Sequence, residues 1–153
     1  MTAIHVTFVC TGNICRSPMA ERIFADHLSR AGLGDRVRVT SAGTHSYHVG
    51  GGADPRTDLV LEAAGYPTGH RAAQVSDDHL SADLVVPLDR GHDRILAQLG
   101  VPSDRRRLLR SFDPGADGES VPDPYYGDMA DFELVRDQIE AAVPGLLAWV
   151  RQN

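Results

Sequence analysis

Val9-Cys10-Thr11-Gly12-Asn13-Ile14-Cys15-Arg16-Ser17-Pro18 is the stretch on which the reading of this chain turns. It follows Val6-Thr7-Phe8-Val9, a β-branched and aromatic run that reads as a strand. It closes on Ser17-Pro18, the signature of a helix start, with serine as cap and proline at the first helical position. A loop passing from a strand into a helix N-terminus turns several backbone N–H groups inward and makes a nest for an anion. Gly12 lets the backbone come close to that anion. The same donors and the helix dipole favour a thiolate on Cys10, which makes it a nucleophile. Arg16 can fold back and clasp two phosphate oxygens. Donors fixed around the equatorial oxygens would stabilise the charge of a phosphoryl-transfer transition state.

Working outward, Met19, Ile23, Phe24 and Leu28 recur at helical spacing after the loop, and Gly32 and Gly34 stop that helix. Residues 37–40 read as a second strand, 42–52 as a glycine-rich loop, and 55–64 as a helix ending at Gly65. A third, buried strand is expected over 83–88, a helix over 89–99, and a fourth strand over 106–110. A long loop of Asp, Pro and Gly over 113–128 precedes a final amphipathic helix over 131–150. Strands alternating with helices predict an α/β three-layer sandwich, a single domain over residues 1–153. Its sheet would have four parallel strands with helices on both faces. Ligands bind beyond the carboxyl ends of strands in such sheets, which is where the Cys10 loop falls.

The 153 residues, 42% of them apolar, suffice for one compact core. No run approaches the roughly 18 apolar residues of a membrane span. The first nine residues lack the charged and apolar blocks of a secretory signal, so a cytoplasmic protein is expected, with leaderless export left open. A net charge of −6 argues against nucleic-acid binding. All 15 basic residues are arginine, and a nucleotide-binding Walker loop needs a lysine, so that class is excluded. Two cysteines make neither a disulfide framework nor a structural zinc site, and their C-x4-C spacing is not that of thioredoxin-like redox sites.

Cys10-Thr11-Gly12-Asn13-Ile14-Cys15-Arg16-Ser17-Pro18-Met19-Ala20-Glu21 resembles the signature of the low-molecular-weight protein tyrosine phosphatases. Further matches lie at Thr40-Ser41-Ala42-Gly43-Thr44, Gly69-His70-Arg71-Ala72 and Asp123-Pro124-Tyr125-Tyr126-Gly127, in the family's order over nearly the whole chain. The resemblance implies hydrolysis of protein phosphotyrosine and small aryl phosphates through a phosphocysteine on Cys10, with Arg16 binding phosphate. A general acid is also required, and composition alone leaves Asp113, Asp123, Asp128 and Asp131 open; the resemblance selects Asp123. Thr11, Gly12, Asn13, Ile14, Cys15 and Ser17 would complete the substrate-binding loop, with Asn13, Ser41 and His70 as hydrogen-bonded supports. Tyr125 and Tyr126 would wall the cleft beside the acid. Tyr47 and His48 lie where the family commonly carries an aromatic specificity residue, often tryptophan, whereas the one tryptophan here, Trp149, falls in the last helix.

By the same resemblance Cys15 can form a reversible disulfide with Cys10, although a small residue packed beneath the loop is an equal reading. Neither metal nor cofactor is required, because Arg16 and the loop amides supply the positive charge. The expected partners are phosphotyrosine proteins, with no membrane and no nucleic acid, and the expected state is a monomer. Three rivals remain. A protein-arginine phosphatase has a similar loop but typically carries threonine where Ile14 stands. A thioredoxin-coupled arsenate reductase needs further cysteines, and none follows Cys15. A phosphate-binding module without turnover needs no acid. The remaining histidines and the run Arg105-Arg106-Arg107 read as solvated surface.

Overall fold

The computed structural model describes residues 3–153. Strand β1 (Ile4–Cys10) runs through the middle of a parallel sheet, flanked by β2 (Val37–Gly43) and β3 (Leu84–Pro87) in the order β2-β1-β3. Ile4 to Cys10 pair with Val37 to Gly43 in register, and Val6 to Val9 pair with Leu84 to Pro87. From His5 onward β1 is buried throughout, as a strand covered on both faces must be.

Alternation along β1 assigns its side chains to two layers. Val6, Phe8 and Cys10 join the main core with helices α1 (Arg16–Arg30), α2 (Pro55–Ala63) and α5 (Met129–Gln152), through Met19, Ile23, Phe24, Val60, Leu61, Phe132 and Ile139. Phe8 meets Phe24 edge-on, ring centroids 5.9 Å apart. Each such fully buried side chain contributes about 2 kcal/mol, so the seam between β1 and α1 is a main anchor of the loop over residues 11–15. On the other face Val9 and Val85 pack with Leu96 of α4 (Arg90–Gln98) and with Val101. A short helix α3 (Asp77–Leu80) closes the same side, where Arg38 pairs with Asp78 through two hydrogen bonds of 2.9 and 2.7 Å. His5 is buried there against Thr40 Oγ1 (2.7 Å), contrary to the surface reading of the histidines.

Among the described residues the sheet has three strands, not four. The expected strand over 106–110 survives as one parallel bridge between Val85 and Arg106. The Val85 N–H donates to the Arg105 carbonyl (2.7 Å) and the Arg107 N–H donates to the Val85 carbonyl (3.1 Å). Beyond that the chain curls into a 3-10 turn (Leu109–Phe112), which buries Leu109 and Phe112 in the main core. Packing against α5 thus overrides the local strand pattern. Nor are Arg105 and Arg106 solvated surface, although Arg107 is exposed as expected. Arg105 donates to the carbonyls of Leu80 (3.0 Å) and Ala82 (2.6 Å), Arg106 to Asp93 (2.6 Å) and to the Val101 carbonyl, and the Arg107 guanidinium lies 4.0 Å from the Phe112 ring centroid.

Helix starts follow their caps. Asp54 accepts from the Arg56 N–H (2.9 Å) with Pro55 opening α2, and Asp89 accepts from the His92 N–H (2.9 Å) at α4. Asp128 and Asp131 form a capping box at α5, so this helix begins two residues before its expected start. Among the described residues no helix is long and apolar enough to cross a membrane.

Candidate active site

β1 delivers Cys10 to the carboxyl edge of the sheet, and residues 11–15 turn the chain into α1. The helix starts at Arg16, and its cap, Cys15, makes no side-chain capping bond. Ser17 is therefore not the cap. Its hydroxyl turns inward and lies 2.9 Å from Cys10 Sγ, while Pro18 falls in the first turn, where its missing N–H leaves no bond unmade.

The loop's shape depends on Asn13, the single non-glycine residue with positive φ (57°) among the described residues. Asparagine tolerates this left-handed conformation better than most residues, at about 1–2 kcal/mol. Four hydrogen bonds offset it. Asn13 Nδ2 donates to Ser17 Oγ (2.8 Å) and Ser41 Oγ (2.9 Å), Oδ1 accepts from the Ala73 N–H (2.9 Å), and the carbonyl accepts from His70 Nε2 (2.7 Å). A carbonyl only accepts, so His70 carries its proton on Nε2; burial lowers the pKa of this imidazole and keeps it neutral. Ser41 in turn donates to Glu21 (2.6 Å). Beneath the loop, β2 comes so close that a Cβ on Gly43 would lie 2.6 Å from the Thr11 carbonyl. There the Thr44 and His45 N–H groups donate to the carbonyls of Cys10 (2.9 Å) and Thr11 (3.0 Å).

Arg16 is buried beside the loop. Its NH1 donates to Asp89 Oδ2 (2.9 Å) and to the Val121 carbonyl (2.9 Å), and NH2 lies 3.9 Å from Asp123 Oδ2. Of the four aspartates that the sequence left open, the other three are engaged elsewhere. Asp113 accepts from the Gly115 N–H (2.9 Å), and Asp128 and Asp131 cap α5. Asp123 Oδ1 accepts from the Tyr125 N–H (3.1 Å), and its side chain is about half exposed at the cleft.

The cleft holds ≈ 210 Å³. Cys10, Thr11, Gly12, Ile14, Cys15 and Arg16 form its floor, with Tyr47 and His48 on one wall and Asp123, Tyr125 and Tyr126 on the other. Asn13, Ser17, Ser41 and His70 do not line it, and support the loop from behind. Tyr47 stacks on His45 (centroids 5.0 Å apart) and Tyr125 meets Tyr126 edge-on (4.9 Å). His48 leans over the loop so closely that a Cβ on Gly12 would lie 2.9 Å from its Cδ2. Cys15 is buried, and burial, reinforced by Asp54 and Cys10, pushes its thiol up to about 12, so it stays protonated. Among the described residues no group of three or more His, Cys, Asp or Glu side chains is arranged to hold a metal ion.

Two participants escaped the sequence reading. Asp89, expected only as the first residue of a helix, is the cap of α4, and its second oxygen orients Arg16. Burial raises its carboxyl, but the His92 N–H and the Arg16 guanidinium outweigh this and hold it below its ordinary value. His92, read as surface, is buried with Nε2 2.9 Å from Thr11 Oγ1 and Nδ1 3.2 Å from Asp89 Oδ1; burial pushes it down to about 4. Only the Asp89-x-x-His92 spacing at a helix start hinted at this contact.

The family description "low molecular weight phosphotyrosine protein phosphatase" matches residues 5–153. Low molecular weight protein-tyrosine phosphatase A of Mycobacterium tuberculosis is 64% identical over 152 residues, which cover 98% of this chain and 93% of that protein. A protein tyrosine phosphatase from Entamoeba histolytica, crystallised with HEPES in its active site, superposes with a TM-score of 0.93 at 30% identity, covering 98% of each chain. An arginine phosphatase from drosophila also superposes, with a TM-score of 0.87 at 29% identity over 94% of this chain and 96% of its own.

Proposed function

This chain belongs to the low molecular weight phosphotyrosine protein phosphatases, and from that premise we propose that it hydrolyses protein phosphotyrosine through a phosphocysteine formed on Cys10. The observation that carries the proposal is the meeting of Cys10, Arg16 and Asp123 in one aromatic-walled cleft, with the Ser17 hydroxyl 2.9 Å from the attacking sulfur.

In this reading the Ser17 hydroxyl donates to the Cys10 thiolate and keeps it aimed outward. Sγ attacks phosphorus in line as the bond to the tyrosyl oxygen breaks, and the Asp123 carboxyl gives its proton to the departing phenolate. Arg16, with NH1 already committed to Asp89 and the Val121 carbonyl, offers its remaining N–H groups to the equatorial oxygens. Water then attacks the phosphocysteine and passes its proton back to the Asp123 carboxylate. The S–P bond breaks, releasing inorganic phosphate and the thiolate. Because a protonated acid and an ionised thiol are needed together, kcat/KM should fall on both sides of an acidic maximum.

The aromatic lining of the cleft supports an aryl ester over phosphoserine, since Tyr47, His48 and Tyr125 offer ring faces to a phenyl group. A second reading, arginine dephosphorylation, is favoured by the likeness to the drosophila enzyme. Ile14 at the floor argues against it, because an apolar side chain there gives a guanidinium no acceptor. Phosphotyrosine, phosphoserine, phosphoarginine and arsenate assayed side by side should show phosphotyrosine turnover dominant, and acid-quenched mass spectrometry should find one phosphate on Cys10. Preferred turnover of phosphoarginine, or full activity of Cys10→Ser, would refute the proposal.

A further inference from the structure

Asp123 stands on a segment, residues 113–128, that contains no helix or strand, so its height above Cys10 must be set by contacts with other elements. The leading side is fastened where the Val121 N–H donates to the Leu88 carbonyl (2.8 Å) and Arg16 donates to the Val121 carbonyl. The trailing side is fastened by Arg56. NH1 donates to the Gly127 carbonyl (3.0 Å) and NH2 to the Tyr125 carbonyl (3.0 Å), while Nε and NH2 hold Asp54 Oδ1 (3.0 Å) and Oδ2 (2.9 Å). Asp54 is tied to the floor of the cleft, because its N–H donates to the carbonyl of Ile14 (2.9 Å). The guanidinium lies 4.4 Å from the Phe132 ring centroid and 6.0 Å from that of Tyr125, which limits its swing.

We propose that Arg56 is a positioning residue, a strap from the phosphate loop to the acid-bearing segment that fixes how far the Asp123 carboxyl stands from the leaving oxygen. The proposal rests on the reading of Asp123 as the general acid. Arg56 touches neither the nucleophile nor the space the phosphate would fill; it acts through the Tyr125 and Gly127 carbonyls, and the Tyr125 N–H reaches Asp123 Oδ1. A planar fork of five donors can serve a carboxylate and two carbonyls at once, and an ammonium cannot reproduce that pattern. Proton transfer is sensitive to displacements of well under a bond length, so a loosened segment loses acid catalysis first.

The test compares Arg56→Ala, Arg56→Lys, Asp123→Ala and the Arg56→Ala/Asp123→Ala double variant on aryl phosphates from phosphotyrosine to 2,4-dinitrophenyl phosphate. Inhibition by inorganic phosphate and the melting temperature are read alongside. Arg56→Ala is expected to lower kcat/KM roughly tenfold or more on phosphotyrosine but only about twofold on the dinitrophenyl ester, as part of the roughly 10²–10⁴ that a general acid supplies. Phosphate inhibition should be unchanged, Arg56→Lys should recover little, and the double variant should be no slower than Asp123→Ala. An equal loss on all esters, a melting shift without a change in leaving-group dependence, or full rescue by lysine overturns the strap. If Asp123→Ala itself shows no leaving-group dependence, the acid assignment falls and takes the strap with it; if only Arg56→Ala lacks that dependence, the acid stands and the strap alone falls.

Discussion

Arg16 and Asp89, 73 positions apart in the chain, share a 2.9 Å hydrogen bond at the floor of the cleft. One oxygen of the same carboxylate caps α4 and the other turns the guanidinium toward the phosphate loop. A charge-assisted bond of this kind contributes about 1.5–3 kcal/mol, so Asp89→Ala should weaken inhibition by inorganic phosphate about tenfold or more. Because the loss is in phosphate binding and not in proton delivery, kcat/KM should fall by the same factor on good and poor leaving groups. A loss confined to poor leaving groups would contradict this role.

Asn13 carries both an unusual backbone conformation and the bonds that hold it. Asn13→Ala removes three side-chain hydrogen bonds and keeps the strain, and should cost about 3 kcal/mol in urea unfolding. Asn13→Gly removes the same bonds but relieves the strain, and should lose about 1 kcal/mol less. Equal losses would mean that the positive φ carries no strain.

His92 predicts a specific sensitivity to acid. Its imidazole is pushed down to about 4 when folded, against an ordinary value of 6.5, so between those values the unfolded chain binds the extra proton and the folded one does not. Stability from this group is fully present above pH 6.5 and declines as pH falls toward 4, by at most about 3 kcal/mol. His5, His70 and His79 are displaced in the same direction, chiefly by burial. Melting temperatures at pH 7 and pH 4.5 should therefore differ less in His92→Gln than in the wild type; an unchanged difference would show that His92 does not take part.

The two thiols should differ in reactivity. Both thiols are buried and line the cleft, but Cys15 stays protonated up to about pH 12, whereas Cys10 is the nucleophile of the proposed function. Iodoacetate at neutral pH should label Cys10 alone, and inorganic phosphate should protect it. Labelling of both cysteines at similar rates, read by peptide mass spectrometry, would contradict a Cys15 thiol held in its protonated form.

How much of this could be read in advance depends on the range of the interaction. The strand, loop and helix around Cys10 were legible because they are consecutive in sequence, although Ser17, read as the helix cap, turns its hydroxyl to Cys10 instead. Residues 106–110 misled because Leu108-Leu109 has the local look of a strand, while burial of Leu109 and Phe112 against α5 decides their fate. Asp89 was visible only as the first residue of a helix, since nothing near it in sequence reveals a bond to Arg16. His92 and Arg56 have the same history: their partners Thr11, Tyr125 and Gly127 lie far away in sequence, and no periodicity records such pairings.

β1 is the one strand with a neighbour on either side, and Cys10 is its last residue. Separating it would expose Val6, Phe8 and Val9 together, so its amides should exchange with solvent only when the entire molecule opens. The Cys10 sulfur thus hangs from a segment expected to open last. Tyr47, His48, Asp123 and Tyr125, which wall the cleft, stand on irregular loops around it, where opening is far easier, so thermal softening should loosen the rim of the cleft well before it disturbs Cys10.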